Sequence, residues 1–140
     1  MIKKKIFNQI GYFNHNFNII GDFDLVMKLS KDYKAHAINK PLIYYRYHEN
    51  NFSNLNSEMF FNEFCEWYKN NIKLNDKHFN ENLKYFKKKL ISLEINHLLI
   101  NKDKNYYLLK KILMYPSLIK KIKYLIAFFI PKKLIKYLMS

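Results

Sequence analysis

Between Phe79 and His97 the segment FNENLKYFKKKLISLEINH places Phe79, Leu83, Phe86, Leu90, Leu93 and His97 at alternating steps of four and three residues. Side chains spaced this way share one face of an α-helix but divide between the two faces of a strand. That stripe commits the second half of the chain to helix. From about Ser57 onward the pattern stays helical, and Pro116 and Pro131 separate the later helices, since proline fits a first helical turn but breaks an interior. With two glycines and three prolines in 140 residues, the chain has no flexible linker and no repeat signature. Its length suits one domain with a real core.

The first 55 residues read differently. Gly11 and Gly21 bracket YFNHNFNII, which reads as loop with a brief strand. Phe23, Val26, Met27, Ser30 and Tyr33 then fall at helical spacing, predicting a helix from Asp22 to Tyr33 with Asp22 suited to cap it. Alternation over Ala35–Ile38 and the β-branched and aromatic run Leu42–Tyr47 predict two short strands, with Pro41 at the start of the second. Two strands alone are marginal in water, so this part reads as the end of a larger sheet. The expected fold class is an α/β fragment over residues 1–55 followed by a mainly α-helical region over 56–140.

Lys plus Arg outnumber Asp plus Glu by 25 to 11, a net charge of +14 that favours anionic partners: nucleic acid, anionic lipid or phosphorylated small molecules. From Asn101 onward there are ten lysines and one acid, Asp103. The lysines lie beside long aliphatic faces rather than around exposed aromatics, which argues against nucleic acid. Cys65, the only cysteine, permits no internal disulfide and has no zinc-ligand spacing around it, consistent with a reducing cytoplasm. The basic N-terminus lacks the apolar stretch of a signal peptide. The longest apolar run, Tyr124–Ile130, falls far short of the ~20 residues that span a bilayer.

The chemistry concentrates in IIGDFDLVMKLS and PLIYYRYHENNFS. Asp22 and Asp24 form an Asp-x-Asp that reads as a metal pair, as a catalytic base with a neighbour, or as the polar start of a helix. Arg46, the only arginine, suits bidentate phosphate binding or a structural ion pair with Asp24. His48, at the end of the expected second strand, reads by itself as a surface residue. His97 lies on an apolar stripe and suits a core or interface, while His15, His36 and His78 carry no pattern. No Ser-His-Asp, Cys-His, phosphate-loop or zinc arrangement is present.

Taken in order, IGYF, IIGDFDLVMKLS and PLIYYRYHENNFS resemble the second half of the catalytic domain of family 2, GT-A-fold glycosyltransferases, over roughly Ile6 to Ser53. The family transfers a sugar from a nucleotide-sugar donor to a glycan or lipid-linked acceptor in cell-surface polysaccharide synthesis. Its metal-binding Asp-x-Asp belongs to the nucleotide-binding half, whereas an amphipathic helix follows Asp22 here. The resemblance therefore places Asp22 at the later motif, as the base that takes the acceptor hydroxyl proton. Gly21 stands where the family usually has Glu, and Asp24 falls inside the helix. Arg46 and Gly21, with Asp24, are implied in substrate binding, and His48 in ligating the divalent manganese or magnesium on the donor diphosphate. No nucleotide-binding half is legible in the chain, so the resemblance implies a truncated or split transferase, inactive unless an N-terminal half is supplied in trans. The alternative from another class is a non-catalytic basic module on a membrane surface or a protein.

The C-terminal segment LIKKIKYLIAFFIPKKLIKYLMS is basic and amphipathic. Leu118, Ile122, Leu125, Ile126 and Phe129 share one face, with Lys120, Lys121 and Lys123 away from it. Such a helix either lies in an anionic membrane interface, placing the protein peripherally on the inner face, or packs on its own domain with solvated lysines.

Overall fold

A computed structural model of the chain describes residues 2–44, 46, 56–101, 104–131 and 134–135. The chain divides into two compact units, Met1–Asn70 and Asn71–Ser140.

In the first unit, α1 (Lys4–Ile10) ends at Gly11, whose φ of 83° lies in the left-handed region that glycine tolerates best. The Gly11 N–H closes the helix onto the Phe7 carbonyl at 2.9 Å. A loop leads to α2 (Gly21–Leu29), and α3 (Ser57–Leu74) supplies the wall against which that loop and α2 pack. Phe17, Ile20, Leu25, Phe64, Trp67 and Tyr68 are buried here. The Phe23 ring lies 4.9 Å from Trp67 edge-on and 5.7 Å from Phe64, an aromatic cluster worth more than its buried area alone.

The second unit is built from α4 (Lys77–Glu81), α5 (Leu83–Asn101), α6 (Tyr106–Leu113) and α7 (Leu118–Phe129). Asp76 caps α4 by accepting the Phe79 N–H, and Asn105 caps α6 by accepting the Leu108 N–H, each at 2.9 Å. Ile95, Leu99, Leu108, Ile112, Tyr115, Tyr124, Ala127 and Ile135 form the core. Within it the Ser92 and Tyr124 hydroxyls meet at 2.5 Å, tying α5 to α7. The stripe from Phe79 to His97 is helical but interrupted at Asn82. Phe79, Phe86 and Leu93 are buried, with Phe79 stacked on Phe86 at 5.0 Å.

The expected α/β fragment is not what the chain forms. Among the described residues there are helices and no strand. Residues 35–38 and 42–44 are irregular and exposed, with Ile43 84% exposed, while Tyr45 and Tyr47 of the second expected strand lie outside the described residues. The reason is physical: a strand needs a neighbour for its backbone groups, and the alternation over Ala35–Ile38 is too short to recruit one. The apolar residues of this unit that do find a core, Phe17, Ile20 and Leu25, find it against a helix.

Candidate functional site

The N-terminal turn of α2 carries the Asp-x-Asp, and the two carboxylates have separate fates. Asp24 is buried. Its Oδ1 accepts the Trp67 indole N–H at 3.2 Å, and its Oδ2 lies 2.7 Å from Lys28 Nζ one turn along. Asp22 is exposed, and its Oδ1 accepts the N–H of Phe23 at 2.7 Å. One carboxylate is thus part of the packing and the other faces solvent. The difference follows from helical geometry, since residues two apart point about 200° away from each other.

The approach to this turn is held by a residue that the sequence did not single out. Glu63 of α3 is buried, and its two oxygens accept the N–H groups of Asn18 at 2.9 Å, Ile19 at 2.9 Å and Ile20 at 3.1 Å. Burial by itself would raise its pKa, but the three backbone donors outweigh it and hold the carboxyl below its usual range. Asp22 does not cap the helix. Ile20 occupies the capping position, and no side chain caps α2. Glu63 gives no local sequence signal, because the groups it binds lie more than forty residues away.

Gly21 is buried at the first position of α2. A Cβ there would lie 3.9 Å from Phe13 Cδ1, an ordinary contact, so a side chain is sterically tolerable at this position. Arg46 is exposed. The ion pair of Asp24 is with Lys28. His48 lies outside the described residues. The structure therefore brings Gly21, Asp22 and Asp24 together on one helical turn.

Among the described residues no three His, Cys, Asp or Glu side chains converge at metal-binding spacing. The ligand that the resemblance implies, His48, lies outside those residues. Also among the described residues, no helix is long and apolar enough to cross a membrane. Comparison with known proteins returned no matching family model, no matching curated protein and no matching solved structure.

Proposed function

We propose that the chain supplies the acceptor-side carboxylate of a glycosyl transfer, with Asp22 as the general base and a nucleotide-sugar donor bound by a separate nucleotide-binding half. The observation that carries this reading is the division of labour in the Asp-x-Asp: Asp24 is consumed by Trp67 and Lys28, while Asp22 is presented to solvent on a fixed helical turn. A base must reach the acceptor hydroxyl directly, and only an exposed carboxylate on a rigid support does so. In an inverting transfer the acceptor oxygen attacks the anomeric carbon, the bond to the nucleoside diphosphate breaks, and the acceptor proton passes to Asp22.

The test is reconstitution. The chain is co-expressed with the polypeptide encoded directly upstream of Met1, and transfer from nucleotide sugars to glycan or lipid-linked acceptors is assayed. Transfer that requires both polypeptides and is abolished by Asp22→Asn supports the proposal. Transfer undiminished by Asp22→Asn, or none from any combination, refutes it.

A further inference from the structure

The helix α7 has two apolar faces, and only one of them belongs to the core. Tyr124 and Ala127 are buried, with Leu125 and Phe128 packed partly beside them. Viewed down the axis at about 100° per residue, Leu118, Phe129, Ile122, Ile126 and Ile119 fall in one arc roughly 100° wide, away from that packed side. All five are exposed, from 49% at Ile126 to 82% at Ile119. Lys123 borders the arc on one edge; on the other the half-buried Leu125 lies next to Leu118, with Lys121 beyond it. The face on which a basic amphipathic helix would be expected to pack is thus the one turned outward.

The last stretch of the chain carries one sign of charge. From Lys104 to Ser140 the chain has nine lysines and no Asp or Glu. On the packed side, Lys89 of α5 has its ammonium pushed below the usual range, first by desolvation and then by the Lys120 cation.

We infer that the outward stripe of α7 docks on an anionic lipid surface, with Ile119, Ile122, Ile126 and Phe129 entering the acyl boundary and Lys121 and Lys123 at the headgroup phosphates. The chemistry selects lipid over the other occupants of such a face. Lysine is depleted from protein–protein interfaces, whereas here Lys123 borders the stripe and Lys121 flanks it beyond Leu125. Nucleic acid would need cations at the centre of its footprint, where this face is aliphatic. The helix has 12 residues, so it lies in the interface and does not cross the bilayer. The inference stands on α7 and holds whether or not Asp22 acts as a base.

The test is flotation of the full chain with phosphatidylcholine vesicles, with and without phosphatidylglycerol, at about 50 mM and about 500 mM salt. The expected result is binding to the anionic vesicles at low salt, reduced at high salt. Lys121→Glu and Lys123→Glu should each weaken it by about fivefold or more, and Ile122→Asp with Phe129→Ser by more than about tenfold. Circular dichroism of that double variant checks that the helices persist, which their exposure predicts. Asp22→Asn should bind vesicles as the unaltered chain does, so loss of the transferase reading would leave this one intact. Absence of flotation at low salt overturns the inference, as does unchanged flotation of the Ile122→Asp, Phe129→Ser variant. It is equally overturned if the chain is a dimer that these two substitutions dissociate and shows no affinity for vesicles, for the stripe would then join two copies.

Discussion

The Trp67 indole N–H donates to Asp24 Oδ1 at 3.2 Å, across a separation of 43 residues. This bond and the neighbouring pair with Lys28 assign Asp24 to the architecture of the first unit. Asp24→Ala should therefore destabilise the chain by about 2–3 kcal/mol, because it strands a buried donor and removes the partner of Lys28. Trp67→Phe removes the same hydrogen bond and adds a loss of packing. A double-mutant cycle read by urea denaturation should show coupling of about 1 kcal/mol or more between the two positions.

Asp22, on the same turn, should behave oppositely. Asp22→Asn is expected to change stability by no more than about 0.5 kcal/mol, since the residue is exposed and loses only a favourable charge at a helix N-terminus. Comparing its denaturation midpoint with that of Asp24→Asn would show whether the two acids are as unequal as the geometry makes them.

Glu63 predicts a pH dependence. Its carboxyl is held below the ordinary value of 4.5, so the folded state binds its proton less readily than the unfolded chain does. The stabilisation is fully present above about pH 4.5 and is lost as pH falls through the depressed folded value. Urea midpoints measured from about pH 6 to about pH 3 should decline more steeply for the unaltered chain than for Glu63→Gln. Glu63→Ala should cost about 3 kcal/mol at neutral pH, as three backbone donors lose their acceptor.

In the second unit, the buried hydroxyl pair of Ser92 and Tyr124 should show the asymmetry of hydrogen-bond removal. Tyr124→Phe alone leaves the Ser92 hydroxyl without its partner and should cost about 1–2 kcal/mol. Adding Ser92→Ala should cost little more, and an additive loss in the double variant would count against the pair.

The helix-start caps are exposed to a simpler check. Asn105→Ala should lower stability by about 1 kcal/mol by removing the acceptor for the Leu108 N–H at the start of α6. Thermal unfolding would register it as a drop in Tm of a few degrees.

Much of the helical half was legible in the sequence. The stripe through Phe79, Phe86 and Leu93 set a buried face, and Pro116 and Pro131 lie just outside α7 at either end. These features depend on residues within a turn or two of one another, so periodicity and backbone chemistry are enough to read them. The helix expected from Asp22 to Tyr33 also formed, as Gly21–Leu29 followed by a turn. The expected strands did not, because strand formation depends on a partner that local alternation cannot reveal.

By its sequence alone, then, this chain determined a basic, helix-rich second half, the break points between its last helices, and an acidic pair at the head of α2. What only the tertiary structure decided is which face of each element is covered. Asp24 became structural because Trp67 arrives from α3, and Glu63 became the anchor of the 18–20 backbone because its position on α3 points there. The most apolar-looking face of α7 stayed outside because Tyr124 and Ala127, on the other side, fill the core. Helical periodicity shows that an apolar face exists. Which of two such faces is buried depends on shape and volume across elements, and these are properties of the packed chain rather than of any segment of it.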